Sequence, residues 1–388
     1  MAQRAVYRTE LTPLSFLQRS AYVFPDKPAV VHDGRRYSYR QLEERVNRLA
    51  SALRAAGIGK HDRVAFLCPN IPPMLEAHYG VPAAGGVLVA INTRLGSDEI
   101  GYILQYSGSR FLFVDAELEG LIKPLDLSAL TVVRVDDTGA AGDPYEDFLD
   151  TGSPAPVESW LEDEEEMLSI NYTSGTTGRP KGVIYTHRGA YLNALGEVIE
   201  TGMSFDSRYL WTLPMFHCNG WCFTWAVTAV AGTHICLRKV ESARIWELID
   251  GEGVTHYNGA PTVQIGVVND PKAHRLAKPV TVTVAGAPPS PTLLGKLKEL
   301  NFRPVHVYGL TETYGPHTVC EWHPEWDALP VEEQARLAAR QGQGYCIADL
   351  VRVVDGSMRD VAQDAETLGE VVMRGNNVMK GYFEQPDA

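Results

Sequence analysis

An α/β fold with two sheet-containing units flanked by helices is what this sequence predicts, and three observations carry that expectation. From Val64 onward, short apolar runs alternate with helix-period segments, the pattern of strands paired in parallel through helical crossovers. A stretch rich in Gly, Pro, Asp and Thr and without periodicity, Asp136 to Pro156, interrupts the alternation and suggests a boundary. After Val351 the pattern changes to short strands and turns with no long helix. The expected units are residues 1–156, residues 157–345 and, as the beginning of a small β subdomain, residues 346–388.

The elements follow in order. Ala29 to Tyr39 reads as a hairpin turned at Asp33-Gly34. Ser38 and Gln41 then form a capping box for a helix whose buried stripe is Leu42, Val46, Leu49 and Leu53, with Gly57 placed to end it. Strand Val64 to Cys68, a helix from Pro72, strand Val87 to Ile91, a helix from Ser97 and strand Phe111 to Val114 complete the first unit. The second begins with strands Leu168 to Tyr172 and Gly182 to Tyr185 and a helix after His187. Strands Thr255 to Asn258, Val280 to Ala285 and Pro304 to Tyr308 follow it, and the last unit opens with Val351 to Val354 and Glu370 to Arg374.

Composition narrows the function classes. The chain has 388 residues, 45% hydrophobic and 21% charged, enough for a large core, and its net charge is -13. The positive charges are scattered, so no basic face is available for nucleic acid. The six cysteines lack the C-x-x-C or Cys/His spacing of a structural zinc site and read as reduced thiols, which fits a cytoplasmic location. The N-terminus has no apolar targeting region, and the most apolar stretches, Val81 to Ile91 and Ala226 to Leu237, are shorter than a membrane span of about 20 residues.

The most informative stretch is Tyr172-Thr173-Ser174-Gly175-Thr176-Thr177-Gly178-Arg179-Pro180-Lys181-Gly182, between two predicted strands. Its glycines allow a tight turn that brings backbone N–H groups onto an anion, and four hydroxyls and a lysine add donors. That composition suits a polyphosphate. It is not a Walker A loop, because Gly175 is not followed at the required spacing by Gly-Lys-Ser/Thr.

This run resembles the signature loop of the adenylate-forming superfamily, which comprises acyl- and aryl-CoA synthetases, adenylation domains of peptide synthetases and beetle luciferases. Tyr308-Gly309-Leu310-Thr311-Glu312-Thr313 resembles the second signature of that family, and Gly286-Ala287-Pro288 its adenine-side segment. The resemblance implies that Tyr308 stacks on adenine, Thr311 contacts the α-phosphate and Glu312 holds Mg2+, with Thr173 and Lys181 acting from the phosphate loop. Pro214-Met215-Phe216-His217-Cys218-Asn219-Gly220-Trp221 resembles the acyl-site motif. There the resemblance implies that His217 lies beside the acyl carboxylate and Trp221 gates the acyl tunnel, with Asn219, Gly220, Gly309 and Leu310 also on the acyl side. Amino-acid-activating relatives usually carry an aspartate nearby; here Phe216 is followed by His217, which points to a simple acid.

The activity implied is an AMP-forming acyl-CoA synthetase. A carboxylic acid and ATP give an acyl adenylate and pyrophosphate, and coenzyme A then takes the acyl group. Thr313 to Pro316 and Cys320 to Asp327 are similar to a branch that takes short- to medium-chain or aromatic acids. Alternative readings are an acyl-AMP ligase that loads a carrier protein and an adenylate-binding module without turnover. The family's C-terminal lid domain, with its catalytic lysine, and its ribose-binding Thr-Gly-Asp segment have no counterpart in these residues, so impaired turnover is expected of the chain as written. A homodimer is compatible with the sequence.

Overall fold

The computed structural model describes residues 7–173, 179–364 and 366–385. Its strands, in chain order, are β1 (Pro28–His32), β2 (Arg35–Ser38), β3 (Arg63–Leu67), β4 (Val87–Ala90), β5 (Ser109–Asp115), β6 (Thr131–Val135), β7 (Met167–Tyr172) and β8 (Gly182–Thr186). They continue with β9 (Arg208–Leu210), β10 (Thr233–Ile235), β11 (His256–Gly259), β12 (Val280–Val284), β13 (Phe302–Leu310), β14 (Gly315–Val319), β15 (Gln343–Gly344), β16 (Arg352–Val354) and β17 (Glu370–Val372).

Among the described residues these make a six-stranded sheet, β6-β5-β3-β4-β7-β8, a nine-stranded sheet, β15-β14-β13-β12-β11-β9-β10-β1-β2, and the separate pair β16-β17. The first sheet is parallel except for β7 against β8. The α/β expectation holds, but the strands divide between the sheets differently from the sequence reading. β7 and β8, expected in the second sheet, extend the first through parallel pairing of β4 with β7. The hairpin β1-β2, expected in the first unit, pairs through β1 with β10 on the edge of the second sheet. Apolar periodicity identifies a strand, whereas its neighbour is set by long-range pairing that local pattern does not encode.

Local expectations were met where they rested on short-range chemistry. The helix Tyr39–Ala55 has its capping box, with Gln41 N donating to Ser38 Oγ at 3.3 Å and Ser38 N to Gln41 Oε1 at 2.8 Å. Leu42, Val46, Leu49 and Leu53 are buried along one face. The helix Pro72–Ala83 is buried along most of its length and carries Glu76 at 0% exposure. A lone buried carboxylate would be costly, but Arg45 Nε reaches Glu76 Oε1 at 2.6 Å and Tyr145 Oη donates to Oε2 at 2.7 Å.

The two sheets are tied at one junction by a second polar cluster. Arg238 spans Asp115, at the end of β5, at 2.8 Å and Asp137 at 3.2 Å, and Asp137 accepts from His32 of β1 at 2.8 Å. This clasp fixes the relative placement of the sheets, and the candidate site draws residues from both of them.

Candidate active site

A cavity of about 570 Å³ collects residues from five separate stretches of the chain. Ala90 and Asn92 come from the end of β4, Thr173 from the end of β7, Phe216 to Cys218 and Trp221 from the loop after β9, Gly286 from beyond β12, and Gly309 to Glu312 from the end of β13. The volume lies in the ordinary range for a small-molecule site, and its place at the carboxyl ends of parallel strands is where open α/β sheets bind ligands. A second cavity, of about 610 Å³, surrounds the other end of β13; it is lined by Cys320, Glu321, Trp322 and Asp327 and by none of the residues expected to bind nucleotide or acid.

The acyl-motif segment is held in an uncommon backbone form. Cys218, Asn219, Gly220, Trp221 and Cys222 all have positive φ, from 44° to 62°, so the chain makes a left-handed turn. Each non-glycine residue in that region costs on the order of 1 kcal/mol. The cost is offset by a buried polar clasp. Ser169 Oγ and Asn171 Nδ2, one pleat apart on β7, donate to Asn219 Oδ1 at 2.5 and 2.6 Å, and Asn219 N donates back to Asn171 Oδ1 at 3.1 Å. Asn70 grips the approach to the turn, donating to Trp211 O and Leu213 O at 2.8 and 3.0 Å and accepting from Met215 N at 2.8 Å. Gly220 has no room for a side chain, since a Cβ there would meet the Trp211 ring at 2.6 Å.

The turn presents His217 and Trp221 to the cavity and keeps Asn219 and Gly220 fully buried behind it. Trp221 is 5% exposed and lies against Gly315, where a Cβ would come within 2.8 Å of the indole and φ is 98°. Cys218 links the two halves of the site. Its thiol donates to Thr311 Oγ1 at 3.6 Å, and its sulfur lies 3.9 Å from His217 Nε2. Cys218 raises the His217 pKa above its ordinary value, opposed by the desolvation that surrounding atoms impose even though the ring opens to the cavity. Burial, the largest influence, pushes the Cys218 thiol up, but His217, Thr311 and Tyr185 together hold it below its ordinary value.

The Thr311–Thr313 turn is supported from β8. Tyr185 Oη donates to Thr311 O at 2.7 Å, and Tyr185 stacks on Tyr314 at a centroid distance of 3.9 Å. Thr186 N donates to Tyr314 Oη at 2.7 Å. The base of the phosphate loop is closed by Thr173 N donating to Lys181 O at 2.9 Å. Ser174, Gly175, Thr176, Thr177 and Gly178, expected to cradle phosphate, lie outside the described residues.

The structure therefore brings Thr173, His217, Trp221, Gly286, Gly309, Leu310, Thr311 and Glu312 to one cavity. Tyr308 is half-buried on β13 beside Gly309, Ala287 and Pro288 continue as exposed backbone after Gly286, and Lys181 lies over the Tyr382 ring; none of these four lines the cavity. Sequence reasoning missed Asn70, Ser169, Asn171 and Cys218. Ser169 and Asn171 did leave a signal, two polar residues at alternating positions in an otherwise apolar strand.

Known proteins resemble this chain along nearly its whole length. The family described as AMP-binding enzyme matches residues 17–383. An acetate/butyrate–CoA ligase of Arabidopsis thaliana, described as peroxisomal, is 44% identical, with 98% of this chain and 71% of the relative covered. A 4-hydroxybutyrate–CoA ligase of Metallosphaera sedula is likewise 44% identical, with 97% of this chain and 71% of the relative covered. The inhibitor-bound N-terminal domain of FACL13 from Mycobacterium tuberculosis superposes with a TM-score of 0.85 at 27% identity, covering 98% of this chain and 92% of that domain. The chain belongs to the AMP-binding enzyme family, among its AMP-forming acid–CoA ligases.

Proposed function

We propose that this protein activates a short-chain carboxylic acid with ATP and transfers the acyl group to coenzyme A. The observation that carries the reading is the single cavity in which the wall bearing His217 and Trp221 faces Thr311, Glu312 and the stem of the phosphate loop at Thr173. An acid held at His217 would lie beside the α-phosphate of a nucleotide held at Thr311. Such placement converts a bimolecular encounter into a reaction within one complex.

In the first step an oxygen of the acid's carboxylate attacks the α-phosphorus, a C–O–P linkage forms, and the bond to the β-phosphate oxygen breaks to release pyrophosphate. His217, with its raised pKa, orients the carboxylate as a cation or hydrogen-bond donor, and Thr311 and Thr173 donate hydroxyls to phosphoryl oxygens. Mg2+, when bound, neutralises charge on the phosphates. The donor set fits it: Glu312 offers one hard carboxylate at the cavity, and among the described residues no three metal-binding side chains cluster. One carboxylate with substrate phosphates is the usual way Mg2+ is held. In the second step the CoA thiol attacks the acyl carbon, the thioester forms and AMP leaves.

The short chain is inferred from Trp221, which is packed on Gly315 and closes the acyl end of a volume that nucleotide and acid must share. The relatives named for acetate/butyrate and 4-hydroxybutyrate support it. Among the described residues no helix is long and apolar enough to cross a membrane, and the free cysteines suit a reducing compartment, for which the cytoplasm is our reading.

The test is pyrophosphate release with a series of acids from acetate to octanoate, together with benzoate and cinnamate, each with and without CoA. Acids of two to four carbons should lead the ranking, and thioester should appear only with CoA. A preference for octanoate or cinnamate would overturn the substrate reading. Acyl transfer to a phosphopantetheinyl carrier in preference to CoA would overturn the acceptor.

A further inference from the structure

The segment after β17 returns to the catalytic cavity. Ile184 N donates to Gly381 O at 3.0 Å and Phe383 N to Gly182 O at 2.7 Å, so residues 381–383 lie antiparallel along β8 in a single β-bridge. Phe383 is 8% exposed and anchors this segment in the core against the first sheet, and Tyr106 meets its ring edge-on at 6.3 Å. Between these two anchors, Tyr382 turns the other way.

Its hydroxyl donates to Glu312 Oε1 at 2.8 Å, and its ring lies 4.6 Å below Lys181 Nζ. The same segment also holds the backbone of Glu312, through Met379 N donating to Glu312 O at 2.8 Å. Glu312 follows β13 and Lys181 precedes β8, so Tyr382 touches both the carboxylate at the end of one sheet and the lysine at the end of the other.

We propose that Tyr382 is a positioning residue for the metal carboxylate: by occupying Glu312 Oε1 it leaves Oε2 free for the nucleotide's Mg2+, and by lying under Lys181 it sets the distance between that carboxylate and the lysine. A hydroxyl donor to one carboxylate oxygen leaves the other as the metal's ligand and removes the freedom of the side chain to swing away. The cation over the ring adds an attraction that survives removal of the hydroxyl. The inference rests on the reading of Glu312 as the Mg2+ ligand.

The test is ATP binding by calorimetry, with Mg2+ titrated from an EDTA-treated start, in the unaltered chain, Tyr382→Phe, Glu312→Gln and the double variant. Tyr382→Phe keeps the ring, its packing and the contact with Lys181. It should reduce the Mg2+-dependent gain in ATP affinity roughly three- to tenfold, the worth of one hydrogen bond, and leave Mg2+-free ATP binding and the thermal melt unchanged. Glu312→Gln should abolish the gain, and adding Tyr382→Phe to it should change nothing further. If Tyr382→Phe retains the full gain while Glu312→Gln loses it, Tyr382 does not position the carboxylate. If Glu312→Gln retains the gain, Glu312 is not the metal ligand and the reading beneath the inference fails with it.

Discussion

The two walls of the cavity are built in different ways. The acyl wall, Cys218 to Cys222, is buried, left-handed and held by donors and acceptors from β7 and from Asn70. The nucleotide wall, Gly286 and Leu310 to Glu312, is half-buried or exposed, and its supports are side chains reaching across from β8 and from the segment at Tyr382. A wall that must discriminate between acids differing by a methylene has to exist before the ligand arrives, because loose packing would yield to either. A wall that meets a triphosphate can leave part of its geometry to the ligand, whose charge is itself an organising force. Under the proposed function, the contrast would give selection to the acyl wall and charge neutralisation to the nucleotide wall.

The hardest way to break the contrast is Gly220→Ala. The added Cβ meets the Trp211 ring and sits at a φ of 61°. It should cost about 2 to 5 kcal/mol of stability, read from denaturant unfolding, and abolish acid binding while ATP binding persists in the molecules that remain folded. Asn171→Ala attacks the same turn more gently. It leaves the buried Asn219 N without its acceptor, so a loss of about 1 to 3 kcal/mol is expected, with a weakened affinity for acid and little change for ATP. Equal damage to both ligands would show that the turn supports the whole cavity and not one wall.

Cys218→Ser sharpens the contrast with the smallest change. The sulfur raises the His217 pKa, so the imidazolium persists to higher pH than an ordinary histidine would allow. Acid binding that depends on the cation is full below that pKa and falls as pH rises through it. Replacing the sulfur removes the raising influence, and the alkaline limb of the acid-binding profile should move to lower pH without loss of stability. An unmoved limb would mean that the titrating group is not His217.

What was legible in the sequence was what neighbouring residues settle among themselves. The Ser38-Gln41 capping box, the apolar stripe from Leu42 to Leu53 and the two strands around the phosphate loop all follow from local periodicity and hydrogen bonding. The convergence of His217 and Trp221 with Thr311 and Glu312 was also expected, through resemblance of contiguous motifs. The left-handed turn was not, because Asn219 and Gly220 tolerate positive φ but Trp221 and Cys222 do not ask for it; distant partners on β7 impose it. The strand exchange between sheets and the contact of Tyr382 with Glu312 were hidden for the same reason. They join residues 70 or more positions apart, and no local pattern records such pairings.

The division of labour between the walls is tested most directly by pyrophosphate release across one panel of straight-chain acids, measured for the unaltered protein, Glu312→Gln and Trp221→Ala. Glu312→Gln should lower kcat/KM for every acid by the same factor, roughly 10² to 10³, because it removes charge neutralisation that all of them share. Trp221→Ala should reorder the panel, favouring longer acids and penalising the shortest, because it opens space at the acyl end. A reordered panel in Glu312→Gln, or a uniform loss in Trp221→Ala, would contradict the account.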